Sequence, residues 1–271
     1  MLFRSPLNHR PRKRFGQNFL HDTGVIRRII SCIAPRAGDR LVEIGPGLGA
    51  ITRELLSAVG SMDAVELDRD LIAPLARMCA PLGDLRIHNL DALGFDFCSL
   101  AGPEGALRVV GNLPYNIPTP ILFHLLDQAH CIADMHFMLQ REVVQRMGAE
   151  PGCKAYGRLS VMLQARCEVI PLFDIGPDAF TPAPKVDSAL VRLVPHRTAR
   201  YRIDDYPLFR RLVAAAFSQR RKTLRNALAD LMTEAEIRHA GQTPGARAEQ
   251  LSVAAFAALA NAAACKNGTA S

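Results

Sequence analysis

Two stretches of the chain hold residue types that can do chemistry together. The first is Gly111-Asn112-Leu113-Pro114-Tyr115, which follows the apolar run Leu107-Arg108-Val109-Val110. Such a run reads as a buried strand, bounded upstream by the turn residues Gly102-Pro103-Glu104-Gly105. Its end delivers a carboxamide, a proline-stiffened carbonyl and an aromatic ring into one place. In α/β sheets, loops at the carboxyl ends of strands line the ligand crevice. An ordinary strand-ending turn uses the same Asn and Pro, so the context must decide. The second stretch is Arg40-Leu41-Val42-Glu43-Ile44-Gly45-Pro46-Gly47-Leu48-Gly49-Ala50, a short apolar strand running into a glycine-rich turn and a helix through Ile51, Leu55 and Leu56. Glycines let a backbone turn tightly and approach a ligand, and the helix N-terminus offers unpaired N–H groups.

The glycine spacing admits two ligands. Gly45, Gly47 and Ala50 satisfy the permissive dinucleotide fingerprint, while Gly45, Gly47 and Gly49 equally satisfy the turn of S-adenosylmethionine enzymes. Residues 62–68 read as a second strand with Glu66 at its tip, where a carboxylate can accept both ribose hydroxyls. Asp91 lies just beyond a third strand at 85–88; it suits an adenine amino group as acceptor, and it suits a turn cap equally well. These residues indicate an adenosine-containing ligand without naming it.

The elements that must hold these residues alternate strand and helix, as a parallel α/β sheet requires. Asp22 caps a helix carrying Val25, Ile26, Ile29, Ile30 and Ile33, and Phe15 to Leu20 before it reads as a segment pinned on the domain. A helix spans 70–79, Pro118-Thr119-Pro120 starts another over 121–126, and 131–139 is a strand. Residues 142–147 and 157–167 read as helices and 168–173 as a strand. Pro182 and Pro184 then impose a stiff, extended path, which can hold Phe180 out from the sheet ahead of a strand at 189–194. Beyond Pro195 the composition turns polar and basic over 196–205, and helices are expected at 208–218, 222–232, 234–239 and 248–264. The expected organisation is a basic arm over 1–15, a sheet domain over 16–195 and a helical domain over 196–271.

Charge points to the partner. With 33 Lys and Arg against 26 Asp and Glu, the net charge of +7 favours an anionic partner, nucleic acid first. Arg4, Arg10, Arg12, Lys13 and Arg14 crowd the arm, and Arg210, Arg211, Arg220, Arg221, Lys222 and Arg225 cluster in the helical part. Both groups suit phosphate backbones. No apolar stretch is long enough to span a bilayer, and the arm lacks the apolar core of a signal peptide, so a cytoplasmic protein is expected. The seven cysteines are scattered without a C-x-x-C pair, which argues against a disulfide framework, a zinc site or a catalytic thiol.

Taken together, the motifs resemble those of the KsgA/RsmA-type rRNA adenine dimethyltransferases, relatives of the Erm resistance methyltransferases. The matching stretches are Gly16-Gln17-Asn18-Phe19-Leu20, the strand and glycine turn from Val42 to Gly49, and Val65-Glu66-Leu67-Asp68-Arg69-Asp70-Leu71. They continue through Gly111 to Pro120, Leu139-Gln140-Arg141-Glu142-Val143, Tyr156-Gly157-Arg158-Leu159-Ser160-Val161, Phe180 to Ser188, and Phe217-Ser218-Gln219-Arg220-Arg221-Lys222-Thr223-Leu224-Arg225-Asn226. The last of these looks like the ribosome-biogenesis branch rather than Erm. The departures are Asn89-Leu90 before Asp91, where the family commonly has Gly before the Asp, and Cys153 where Ser is usual.

The resemblance implies a Rossmann-like class I S-adenosylmethionine methyltransferase sheet with a small C-terminal all-helical domain. It implies S-adenosyl-L-methionine as cofactor, contacted by Asn18, Leu20, Gly45, Glu66, Asp91 and Asn112, and no metal. It further implies a target-base pocket from Asn112, Leu113, Pro114, Tyr115 and Phe180, and rRNA contacts from Arg12, Lys13, Arg14, Arg220, Arg221, Lys222 and Arg225. The implied substrate is the N6 of two adjacent adenosines near the 3′ end of 16S rRNA in a pre-30S particle, acted on by a monomer without an obligate protein partner. Erm-like action on large-subunit rRNA, or a role as an assembly factor whose docking outweighs its catalysis, are the alternatives. An adenine N6 is a poor nucleophile because its lone pair is delocalised into the ring. Acceptors such as the Asn112 side chain and the Leu113 carbonyl favour a pyramidal nitrogen, so orientation does the work of a base.

Overall fold

The structure is a computed structural model that describes residues 17–102, 107–114 and 118–268. The basic arm, including Arg12, Lys13 and Arg14, and the ring of Tyr115 lie outside them. In chain order come β1 (Phe19–Leu20), α1 (Thr23–Ile33), β2 (Arg40–Ile44), α2 (Thr52–Val59), β3 (Ser61–Val65), α3 (Arg69–Cys79), β4 (Asp84–His88), β5 (Leu107–Asn112), α4 (Pro118–Asp127) and β6 (Ile132–Gln140). Then follow α5 (Arg141–Met147), α6 (Arg158–Gln164), β7 (Cys167–Ile175), β8 (Phe180–Thr181), β9 (Ser188–Pro195), α7 (Tyr206–Ala216), α8 (Leu224–Ala227), α9 (Glu234–His239) and α10 (Val253–Gly268).

Seven strands form one sheet in the order β4-β3-β2-β5-β6-β9-β7. From β4 through β6 neighbours are parallel, and β9 runs antiparallel to β6. The strands read as near-continuous apolar runs because helices cover both faces, so Leu41, Val42, Val109, Val110 and Phe137 are all essentially inaccessible. Strand order reverses between β2 and β5, the place where doubly wound sheets open a crevice. The register makes that crevice usable. Ile44 pairs with both Val65 and Gly111, Val65 with His88, and Asn112 with Met138, so the carboxyl ends of five strands finish level.

Local chemistry fixes the helix entries. The Asp22 side chain accepts from Val25 N at 2.8 Å and caps α1, whose Ile29 and Ile33 bury themselves in the core. Burying each of those side chains stabilises by roughly 2 kcal/mol. At the amino end of β5 Arg108 ties three elements together, meeting Asp39 at 2.7 Å, Asp134 at 2.9 Å and the Ile33 carbonyl at 2.6 Å. Both partners hold its guanidinium in the charged form against burial, and in return it helps keep Asp134 below the usual carboxylate range.

The chain divides into two compact units. One holds the described residues of 1–144 and 170–195, and the other those of 145–169 and 196–271. The stretch 145–169, assigned by the sequence to the sheet domain, thus packs with the helices that follow residue 195. Physical ties explain it: the Tyr156 hydroxyl donates to the Leu251 carbonyl at 2.8 Å, and Gly152 N donates to the Glu249 carbonyl at 2.7 Å.

Three other expectations change. The helix expected over 222–232 is only α8, because Leu224 N and Arg225 N donate to the Ala246 and Pro244 carbonyls rather than joining a longer helix. Leu224, Leu228 and Met232 are nonetheless buried on one side, which is the periodicity that suggested a helix. The helix expected over 157–167 stops at Gln164, and Cys167 already belongs to β7. Among the cysteines, Cys98 and Cys131 are joined as a disulfide, although they are 33 residues apart in sequence.

Candidate active site

A cavity of about 320 Å³ opens at the level carboxyl ends of the strands, within the range of small-molecule sites. The glycine turn forms its floor. Gly45, Gly47 and Gly49 all adopt positive φ (66°, 57° and 77°), a region in which side chains are strained. A Cβ on Gly49 would lie 2.3 Å from the Met78 methyl and 2.8 Å from a Leu75 methyl, so this glycine serves close packing of the turn on α3. Gly111 is needed for another reason: a Cβ there would sit 2.6 Å from the Ile44 carbonyl oxygen.

Each acid expected at the strand tips lines the cavity. Glu66 is nearly buried and accepts from Gly47 N at 3.2 Å through Oε2 and from Asp68 N at 2.8 Å through Oε1. Burial pushes its pKa up, while those two N–H groups pull the other way. Two N–H bonds do not exhaust a carboxylate, which has about four acceptor sites. Asp91 accepts from Leu93 N at 2.9 Å and so caps a short turn while also facing the cavity. Asn89 steadies the loop by donating to the Glu66 carbonyl at 2.8 Å. Leu67 and Leu90 stand about half exposed beside it as apolar walls.

Gln17 to Leu20 cross the cavity's rim. The segment is held because β1 pairs antiparallel with β8, Leu20 opposite Phe180, and because Gln17 Nε2 donates to Asp68 at 3.1 Å. Asn112, the last residue of β5, donates through Nδ2 to the Asn18 carbonyl at 3.0 Å. Only the amide nitrogen can donate to a carbonyl, so this bond also decides which way the Asn112 carboxamide faces. Leu113 N donates to the Met138 carbonyl at 3.2 Å, extending the β5–β6 ladder past the strand end, and Leu113 and Pro114 line the cavity.

Phe180 departs from expectation. Its ring is not held out from the sheet: it is 2% exposed, within the apolar cluster that includes Leu20, Ile29, Met138 and Leu190. The β1–β8 ribbon is the cause, since pairing with Leu20 turns Phe180 into the core. Conversely, Glu43 was not singled out as a site residue, yet it lines the cavity with one carboxylate oxygen unpartnered and its pKa pushed up to about 8. An acid inside the otherwise apolar run Leu-Val-Glu-Ile was the available signal.

In the helical unit, the Arg220 guanidinium donates to the Lys154 carbonyl at 2.9 Å and to Glu249 at 3.3 Å. Arg225 lies 3.6 Å from Glu234. Arg221 and Lys222 are exposed. All four side chains of the expected basic group are exposed, Arg220 and Arg225 with acidic neighbours in the same unit.

Comparison with known proteins agrees with this geometry. Residues 8–264 match the family model described as ribosomal RNA adenine dimethylase. The ribosomal RNA small subunit methyltransferase A of Xylella fastidiosa is 59% identical over 96% of this chain and 97% of its own length. The protein of the same name from Nitrosococcus oceani is 56% identical over 93% of this chain and 96% of its own. Among solved structures, a dimethyladenosine transferase from Plasmodium falciparum shares the fold with a TM-score of 0.74 at 24% identity, covering 89% of this chain and 95% of that one. The 23S rRNA methyltransferase ErmE gives 0.69 at 25% identity, covering 90% and 99%. With a Rossmann-like methyltransferase sheet, a glycine cradle at its switch point and a match over nearly its whole length, the chain belongs to the ribosomal RNA adenine dimethylase family.

Proposed function

We propose that the enzyme methylates N6 of two adjacent adenosines near the 3′ end of small-subunit (16S) rRNA, giving N6,N6-dimethyladenosine late in 30S subunit biogenesis. The observation that carries this reading is the Asn112 carboxamide at the end of β5, turned by the Asn18 carbonyl beside the glycine cradle. The methyl donor is S-adenosyl-L-methionine, and the residues present suit it: positive-φ glycines without side chains, a buried acid at the second strand tip and apolar walls at Leu67 and Leu90. When bound, this cofactor supplies an electrophilic sulfonium methyl carbon. The protein's task is then placement rather than activation.

Glu66 accepts the ribose hydroxyls and Asp91 the adenine amino group, Gly45 lies against the methionine part, and Asn18 and Leu20 cover the site. Asn112 Oδ1 and the Leu113 carbonyl, made rigid by Pro114, accept the two N6 hydrogens of the target. Those bonds draw the nitrogen toward a pyramidal shape and release its lone pair from the ring; at each transfer the nitrogen sheds one hydrogen as a proton to water, so no side-chain base is needed. Tyr115 stacks on the extruded base, an interaction worth about 1–3 kcal/mol. Phe180, buried under the N-terminal ribbon, supports the pocket by packing instead of stacking. Arg12, Lys13, Arg14, Arg220, Arg221, Lys222 and Arg225 contact rRNA phosphates of the pre-30S particle.

The protein works as a monomer in the cytoplasm; among the described residues no helix is long and apolar enough to cross a membrane. Identity of 59% to a small-subunit relative against 25% to ErmE favours the small subunit as target. Docking on the particle also gives the protein a part in assembly, and a catalytically dead variant that still supports subunit maturation would isolate it. The direct test is methyl incorporation from labelled S-adenosylmethionine into undermethylated 30S and 50S subunits in parallel. Incorporation into 30S alone, recovered as N6,N6-dimethyladenosine, is expected; incorporation confined to 50S would overturn the assignment.

A further inference from the structure

We propose that Cys98, His130 and Cys131 form a zinc site that exists when the two cysteines are reduced and is closed when they are joined. The two Sγ atoms and a His130 ring nitrogen all lie within 4.8 Å of one another, and His130 Nε2 is 3.4 Å from Cys98 Sγ. None of the three lines the cofactor cavity, so the cluster is separate from the chemistry already described.

The donors converge because two short 3-10 turns, Phe97–Leu100 and Ala129–Cys131, are locked to each other. Gln128 is the lock. Its Oε1 accepts from Cys98 N at 3.1 Å, while its Nε2 donates to the Phe95 carbonyl at 3.2 Å and lies 2.9 Å from His124 Nε2. Phe97 anchors the first turn: its ring is fully buried, edge-on to Phe95 and His124. Cys131 is buried, Cys98 is partly accessible and His130 is exposed, so an ion can enter from solvent on one side and is shielded on the other.

The chemistry is balanced as follows. A dithiol reductant passes two electrons and two protons to the Cys98–Cys131 bond, leaving as its own disulfide and generating two cysteine thiols. Zinc then displaces both thiol protons and is held by two thiolates and the neutral imidazole. Water takes the fourth tetrahedral position, as at three-ligand zinc sites. Two sulfurs and an imidazole form a soft donor set that favours zinc over magnesium or calcium. In the joined form neither sulfur is a thiolate and the site is lost. Without metal, the Gln128 carbonyl oxygen, 3.1 Å from Cys131 Sγ and 3.6 Å from Cys98 Sγ, offers the reduced thiols an acceptor. Occupancy therefore reports the thiol redox state of the surroundings.

The test uses the full chain with the exposed Cys153 and Cys265 changed to Ser, so that neither competes. The protein is reduced with dithiothreitol, freed of it by gel filtration, and titrated with zinc against a chromophoric chelator. One equivalent should be withheld from the chelator, and none after reoxidation with diamide. Removing a ligand, by Cys98→Ser or by His130→Ala, should weaken binding by at least about a hundredfold. His130 is exposed, so His130→Ala remains folded and informative even if Cys98→Ser does not; circular dichroism checks both. No retained zinc in the reduced protein, or equal retention in His130→Ala, would overturn the proposal.

Discussion

Replacing Glu43 with Gln should abolish a pH-dependent instability that the native chain carries above about pH 4.5. Glu43 is 1% exposed on β2, its Oε2 has no hydrogen-bond partner, and its pKa is pushed from 4.5 up to about 8. Burial is the main cause, the Thr52 side chain pulls the other way, and the negative charge of Glu66 adds to the rise. Because the folded value lies above the unfolded one, folding takes up a proton. Below about pH 4.5 both states are protonated and the group is neutral to stability. As pH rises toward about 8, the unfolded chain ionises and the folded one does not, so stability falls by about 1.4 kcal/mol per pH unit. Once Glu43 ionises in both states the loss is complete, at about 5 kcal/mol over the interval from 4.5 to about 8. Gln has nearly the same shape and does not titrate. Its unpartnered amide costs about 1–3 kcal/mol, but that cost is the same at every pH and cancels from the slope. Urea unfolding of the cofactor-free protein and of Glu43→Gln, followed by circular dichroism across this pH range, reads the difference directly. The variant should start slightly less stable in acid and finish more stable in alkali. A difference that stays flat to within about 1 kcal/mol would refute the buried, protonated Glu43.

Four further outcomes are expected. Asn112→Ala should lower methyl transfer by at least about a hundredfold, the cost of losing an oriented polar group at a reacting centre, while S-adenosylmethionine affinity by calorimetry changes little; equal loss of both would give Asn112 a cofactor-binding role instead. Arg108→Met should destabilise the sheet unit by about 3–5 kcal/mol in urea unfolding, because among the described residues Asp134 then keeps a buried charge beside just Arg192 and His136. Changing Arg221 and Lys222 together to Ala should weaken 30S binding and reduce the slope of log affinity against log salt by about 2, roughly one per lost phosphate contact. Arg220→Ala should lower the unfolding free energy of the chain by no more than about 1 kcal/mol, since its exposed guanidinium meets Lys154 and Glu249 at the surface.

The cavity at the strand ends was legible in the sequence because its signals are local. A glycine at positive φ, an acid one residue past an apolar strand and a helix entry each depend on neighbours within a few residues, as Gly45, Glu66 and Asp22 illustrate. Parallel strands then bring those tips together by register, and register follows from apolar patterning. The position of the Phe180 ring was not legible, for the opposite reason. Its proline-rich surroundings describe a stiff path, but the direction of the ring is decided by Leu20, some 160 residues earlier, through the two-residue pairing of β1 with β8. The stretch 145–169 failed similarly: its helical pattern was readable, whereas its allegiance to the helical unit rests on bonds to residues near 250.

The sequence by itself determined the α/β alternation, the glycine turn, the Asn-Leu-Pro-Tyr strand end and the basic balance, all consequences of spacing and composition along one chain. Only the tertiary structure decided that Asn112 faces the cavity because Asn18 holds its amide, that Glu43 is driven toward protonation by burial, that Arg220 meets the Lys154 carbonyl, and that Cys98 and Cys131 meet beside His130. Each of these depends on which distant atoms exclude water from a polar group or satisfy its hydrogen bonds, and no spacing along the chain encodes that.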